Sequence, residues 1–449
     1  MKGADKTNYL FSQRDLVALI VPLIVEQFLA VAVGMADTIM VAAAGESAVS
    51  SVSLVDTINV LLINIFSALA TGGAVVCGQF IGKKERENAC AAADQLMLFT
   101  VVFSLAVMIL IYILKGWILT TVFGKIEPDV MADANTYIMI VTASIPFIAI
   151  YNSGAALFRT MGNSNISMIT SFLMNGINIV GNAIMIYGMK LGVVGAAVPT
   201  LVSRIVAAAV IYILALNPKF IISLSKRPTF RPDFRYVRKI LYIGVPNGLE
   251  GSMFQLGKIM VLSLVSTFGT SAIAANAVAN NIATFHTLPG IAVGLALVTV
   301  VSRCVGASDY KQARYYTRRL IAAAYIGIII MNIAIYLLLP TFLHGYNLSP
   351  ETYSSAHKIL LYHGLMSMII WPPAFSLGNT MRAANDVKFT MISAILSMWI
   401  FRIFFSYVIG KYMGLGVFGV WVAMTIDWAV RAVCFVCRYL GHKWELHKI

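Results

Sequence analysis

The chain has 449 residues, of which 59% are hydrophobic and only 12% charged, and its mean hydropathy is +0.83. Soluble domains carry about 25% charged residues, so this composition excludes an ordinary soluble enzyme. The net charge of +14 does not indicate nucleic acid, because there is almost no polar surface to host such a site; loop charge accounts for it.

A spanning helix needs about 20 apolar residues, and twelve apolar segments can be read along the chain. They run over 16–41, 51–79, 95–119, 135–158, 166–188, 193–216, 240–267, 274–302, 318–343, 355–381, 388–410 and 416–439. The first lacks a small-residue cleavage site and is too long for a cleavable signal. Most connections are short. The exception is 217–239, a basic, proline-containing linker at the midpoint. Five cysteines, an odd number set in or beside apolar runs, argue against a disulfide framework. The Cys434-Phe-Val-Cys437 spacing lies in a lipid-length segment with no second pair or histidine nearby, so packing is the expected role.

Basic residues set the orientation. Lys2, Lys6, Arg14, Lys83, Lys84, Arg86, Arg159, the linker, Arg303 to Arg319, Arg382, Lys388, Arg438, Lys443 and Lys448 fall on the side of the N-terminus. The opposite side holds only Lys115, Lys125, Lys190, Lys358 and Lys411. This asymmetry predicts both termini in the cytoplasm of a multi-pass protein of the plasma membrane, a bacterial inner membrane being expected.

The sequence also repeats itself at a shift of 224 positions. Val21-Pro22 meets Val245-Pro246, Glu26 meets Glu250, Gly45-x-Ser47-Ala48 meets Gly269-x-Ser271-Ala272, and Gly192-Val193-x-Gly195 meets Gly416-Val417-x-Gly419. Arg159 and Met168-Ile169 match Arg382 and Met391-Ile392 at 223. Two six-helix halves enter the membrane the same way, so their pseudo-twofold axis must lie along the membrane normal, as in transporters built from parallel repeats. The expected fold is an all-α polytopic membrane protein of twelve transmembrane helices, with lobes over 1–216 and 240–449 joined by 217–239.

A charge at mid-bilayer costs at least ~2.5–3.5 kcal/mol, so each intramembrane acid needs a reason. Glu26 and Asp37 lie close to three turns apart on one face of helix 1. Helix 7 repeats Glu26 as Glu250 but has Val261 where Asp37 would recur. Asp37 is therefore not scaffold needed by both halves, and a functional role is expected. Glu26 and Glu250 each follow a helix proline by four residues, which leaves a symmetric structural role and a substrate-cavity or second-site role both open. Asp56 is a further acid, and Asp427 with Arg431 at i,i+4 reads as a local ion pair. Asn175, Asn178 and Asn182 form one stripe on helix 5, suited to helix–helix hydrogen bonding or to a hard cation. Lys258 and His363 are lone polar residues that could face a cavity or snorkel. Enzyme motifs are absent: there is no HExxH, Walker A or GxSxG. Active transport would then draw on an ion gradient, with no cofactor.

With these motifs assembled, the chain resembles the multidrug and toxic compound extrusion (MATE) family. The resemblance rests on Val33-Gly34-Met35-Ala36-Asp37-Thr38, Leu157-Phe158-Arg159-Thr160-Met161-Gly162-Asn163, Asn175-x-x-Asn178 and Gly192-Val193-Val194-Gly195-Ala196-Ala197. It implies a monomeric antiporter among membrane lipids, exporting small organic, often cationic, compounds in exchange for H⁺ or Na⁺. It also implies an N-lobe coupling site at Asp37, Tyr137, Asn178, Asn182 and Thr200, with Na⁺ held by Asp37, Asn178, Asn182 and Thr200. Asn182 departs from the family's usual aspartate, which should weaken Na⁺ binding. A C-lobe acid found in some members is Trp371 here. The alternative reading is a flippase for an anionic lipid-linked substrate, served by Arg204, Lys258, Arg402 and Arg431. The sign of charge lining the cavity separates the two.

Overall fold

The computed structural model describes residues 9–122, 127–226, 231–346 and 348–447. Lys2, Lys6, Lys125, Arg227 and Lys448, which enter the charge balance, lie outside the described residues, as does Pro228 of the linker. The elements are helices α1 (Gln13–Ala42), α2 (Glu46–Gly82), α3 (Arg86–Thr121), α4 (Pro128–Ala143 and Ile145–Thr160), α5 (Ser164–Gly188) and α6 (Gly192–Ala215). There follow α7 (Phe234–Ser266), α8 (Thr270–Gly306), α9 (Tyr310–Gly345), α10 (Pro350–Ala383), α11 (Val387–Tyr412) and α12 (Gly416–Leu440). A short 3₁₀ turn, Lys443–Leu446, ends the described chain. There is no strand among the described residues.

Ten of these helices are long and apolar enough to cross a membrane, and α4, counted as one bent span, makes eleven. The remaining one, α7, has 33 residues, ample length for a span. Its composition is diluted by Asn247, Glu250, Gln255, Lys258 and several glycines. The helices also outrun the apolar runs that announce them. Backbone hydrogen bonding continues past the lipid-length stretch, so α3 begins at Arg86 rather than near 95. Arg86 is put to use there: its guanidinium donates to the carbonyls of Pro218, Phe220 and Ile221 at 2.9–3.1 Å, fastening the start of the linker to α3.

Two departures from regular helix matter for the site. The halves of α4 meet at 44°, where Pro146 lacks a backbone donor and its ring crowds the preceding turn. The bend leaves Ser144 at the break. Wider π-turns occur at Ala183–Gly188 in α5, Pro372–Ser376 in α10, and Ser397–Ile403 and Ser406–Tyr412 in α11.

The chain divides into two compact units, Val21–Gly248 and Leu249–Ile449 with the N-terminal residues up to Ile20. In the first unit an apolar core joins Met40, Val41, Phe66, Leu119, Tyr137 and Ile186. In the second, Leu264, Val265, Ile328, Leu339, Trp371 and Trp421 do the same. Between helices in lipid the hydrophobic effect gives little, so small residues and tight contact carry the association. Gly72 of α2 is the sharpest case. A Cβ there would lie 2.5 Å from the carbonyl oxygen of Ile240 and 2.9 Å from the amide nitrogen of Gly244 on α7. Both obstacles are backbone. Gly72→Ala should therefore lower the unfolding temperature of the purified protein, at a cost of about 1–3 kcal/mol. An unchanged melting curve would show that α2 and α7 separate easily.

Candidate functional site

Inside the first unit, α1, α2, α4, α5 and α6 bring a polar group together in an otherwise apolar bundle. Asn182 lies at the centre. Its amide NH₂ donates to Asp37 Oδ1 of α1 and, at 3.4 Å, to Asn178 Oδ1 one turn back on α5. Asn178 in turn donates to Thr200 Oγ1 of α6 at 3.1 Å. Four of the five residues expected from the sequence thus form one hydrogen-bonded chain. The fifth, Tyr137, is buried beside them and donates to Asp56 Oδ1 at 3.3 Å rather than to Asp37. Asn175 does not join: its amide turns back to Ser171 Oγ at 3.3 Å on its own helix.

The group has members that no motif announced. Arg204 of α6 is buried and donates to Ser144 Oγ at 2.7 Å and to Asn59 Oδ1 at 3.4 Å. It interacts electrostatically with Asp56, Asp37 and Tyr137, and the two carboxylates also feel each other. Asp56 thus stands as a second carboxylate beside Asp37, the one acid in the set expected from the sequence. The set holds two carboxylates and one guanidinium, so its formal sum is one negative charge when all are ionised. Asp56 was visible as an intramembrane acid. Its place opposite Tyr137 depends on contacts 81 residues apart, for which local pattern carries no signal.

Glu26 and Glu250 are both ion-paired. Glu26 accepts from Arg159 at 3.1 Å and from Ser167 Oγ at 2.7 Å. Glu250 is gripped by Arg382, which reaches both carboxylate oxygens at 2.7 Å, and Arg431 lies 3.9 Å away. Arg159 and Arg382 are themselves repeat partners, so each unit ties its first helix to its fourth by the same Glu–Arg pair. Asp427 accepts from Ser397 Oγ and lies 3.6 Å from Arg431, the local pair expected from i,i+4 spacing. Lys258 is exposed on α7.

His363 is not the lone polar residue suggested by its helix. Its Nδ1 lies 2.8 Å from Nδ1 of His286 on α8, and its ring packs edge-on against Trp421 and Trp428. Both histidines are buried. Trp371, at the position where a C-lobe acid was sought, stacks on Phe375 with ring centroids 5.0 Å apart. All five cysteines are free, and the described residues contain no group of three or more His, Cys, Asp or Glu placed to hold a metal.

The MatE family model matches residues 22–184 and again 246–408, once in each half of the repeat. Among curated proteins the chain is similar to an uncharacterized transporter, YisQ, of Bacillus subtilis. They are 27% identical over 99% of this chain and 96% of that protein. It is also similar to the probable multidrug resistance protein NorM of Thermotoga maritima, at 23% identity over 96% of this chain and 93% of that one. Among solved structures, one described as MATE in complex with MaL6 superposes with a TM-score of 0.89 at 21% identity, covering 95% of this chain and 96% of the other. A transporter of the MOP superfamily from Pyrococcus furiosus gives 0.89 at 20%, with 97% of each chain covered. A fold of long apolar helices, a duplicated sequence and a family match in both halves lead to one conclusion: the chain belongs to the MatE family and is a multi-pass membrane transporter, not an enzyme.

Proposed function

We propose that this transporter exports small organic compounds carrying a positive charge, in exchange for H⁺ or Na⁺ taken up at Asp37, Tyr137, Asn178, Asn182 and Thr200. The observation that carries the ion site is Asn182. It spends its NH₂ on Asp37 and Asn178 and leaves its own Oδ1 buried with no donor. An orphaned buried oxygen is costly, and beside a carboxylate, an amide and a hydroxyl it suits a small hard cation or a protonated group. Several relatives are named as probable multidrug resistance proteins, which supports organic compounds as cargo. The plasma membrane, cytoplasmic termini and action as a monomer complete the proposal.

The flippase alternative draws less support. Of its four basic residues, Arg204 sits among Asp37 and Asp56, and Arg431 is shared between Glu250 and Asp427. In this reading Glu26 and Glu250 tether helices through their ion pairs with Arg159 and Arg382 and do not contact substrate.

Asn182→Asp tests the coupling site. A third carboxylate raises the negative charge offered to a cation, so Na⁺-driven efflux from proteoliposomes should gain relative to H⁺-driven efflux, by about fivefold or more. An unchanged ratio of the two would remove Asn182 from the ion site.

A further inference from the structure

The repeat gives most residues of the coupling group a counterpart in the second unit, where both carboxylates are lost and a cation appears. At the 224 shift, Asp37 becomes Val261, Asp56 becomes Asn280, Asn182 becomes Ser406 and Thr200 becomes Met424. Counting back from the aligned Gly192 and Gly416, Asn178 becomes Arg402. The shift between repeats changes from 223 to 224 within this helix, so α11 carries one more residue than α5. The π-turn Ser397–Ile403, which contains Arg402, has no counterpart in α5 and accommodates it. Such turns are frequent at functional sites.

Arg402 is 8% exposed. Its guanidinium lies over the Phe254 ring at 5.3 Å, and its Nε is buried without an acceptor. Among the described residues no carboxylate comes within salt-bridge distance of it: Glu250 is held by Arg382, and Asp427 is engaged by Ser397 and Arg431. A second cation faces the same place. Lys258 is one turn beyond Phe254 on the same face of α7, is exposed, and interacts electrostatically with Arg402. Asp427 acts on Arg402 electrostatically but makes its direct contacts with Ser397 and Arg431. A buried cation with no ion pair of its own is expensive, and a planar guanidinium is shaped to grip a carboxylate.

We propose that Arg402 and Lys258 form an anion-binding subsite in the second unit, taking one monovalent anion: the carboxylate of an exported compound or, in its place, chloride. The inference rests on the export reading and refines it, for cargo would then include compounds with an acidic group beside their positive charge.

The test uses the full-length protein in nanodiscs and two dyes that differ only in a free carboxylate, tetramethylrhodamine and its methyl ester. Binding is read by fluorescence polarisation in gluconate buffer. The acid should bind about tenfold more tightly than the ester. Arg402→Gln should remove that preference while leaving ester binding within about twofold, and Lys258→Gln, at an exposed position, should reduce it severalfold. Chloride replacing gluconate at constant ionic strength should compete with the acid alone if the subsite serves cargo. If chloride is the resident ion, it should raise the melting temperature of the wild type and not of Arg402→Gln. Should Arg402→Gln fail to fold, Lys258→Gln and Arg402→Lys carry the comparison. The subsite is overturned if the acid has no advantage and chloride gives no stabilisation. It is equally overturned if the preference survives in the Gln variants. The chloride arm needs no dye, so failure of both dyes to bind counts against the export reading and leaves the subsite to be decided by melting temperature.

Discussion

Asp37→Asn should abolish gradient-driven export while leaving the protein folded and able to bind substrate. The substitution keeps the volume of the side chain and its place beside Asn182, but removes the group proposed to exchange a proton or Na⁺ in each cycle. Asp56 remains, yet it is engaged by Tyr137 at 3.3 Å and is not hydrogen-bonded to the Asn182–Asn178–Thr200 chain. Coupling free energies between sites commonly correspond to about 5–150-fold in affinity, so concentrative export should fall by at least about tenfold. Equilibrium binding should stay within about twofold. The measurement is dye accumulation against a gradient in proteoliposomes, set beside binding in detergent. Loss of binding together with transport would mean that Asp37 shapes the substrate site instead.

Glu250→Ala should be among the most destabilising single changes in the protein. Its carboxylate neutralises Arg382, bound through both oxygens at 2.7 Å, and lies 3.9 Å from Arg431. Removing one partner of a buried pair strands the other charge, at a cost of about 3–5 kcal/mol. Replacing both partners by apolar groups is often neutral, so Glu250→Leu with Arg382→Met should recover most of the loss. If the double variant is no more stable than Glu250→Ala, the pair does more than satisfy itself. Glu26→Ala should behave alike, because Arg159 loses the carboxylate it is paired with. Thermal unfolding of the four proteins decides the matter.

What could be read without coordinates follows the range over which each signal acts. Helix positions come from runs of about 20 apolar residues, and they needed only extension at polar ends such as Arg86. The repeat exposed Glu26 and Glu250 as equivalent, and the absence of an acid at Val261 singled out Asp37. The partners of those residues are another matter. Arg159 reaches Glu26 across 133 positions, and Asn182 reaches Asp37 across 145. Neither contact leaves a periodic trace in the chain. Arg204 looked like a candidate for an anionic cargo because it is an intramembrane cation, whereas its neighbours are Asp56 and Asp37. The histidine pair escaped for the same reason, His363 seeming alone on its helix while its partner His286 lies 77 positions away. The bend at Ser144 was missed although Pro146 signalled it, since the two halves together have the length of one span.

The central claim is that movement of cargo is tied to movement of an ion through Asp37, and ion counterflow tests it most directly. Proteoliposomes are prepared with no ion gradient and given a gradient of a cationic dye, while internal pH and Na⁺ are followed with trapped indicators. Downhill dye movement should drive H⁺ or Na⁺ in the opposite direction in the wild type, and Asp37→Asn should eliminate that ion flux. Dye movement with no opposing ion flux in the wild type, or an undiminished flux in Asp37→Asn, would contradict the account.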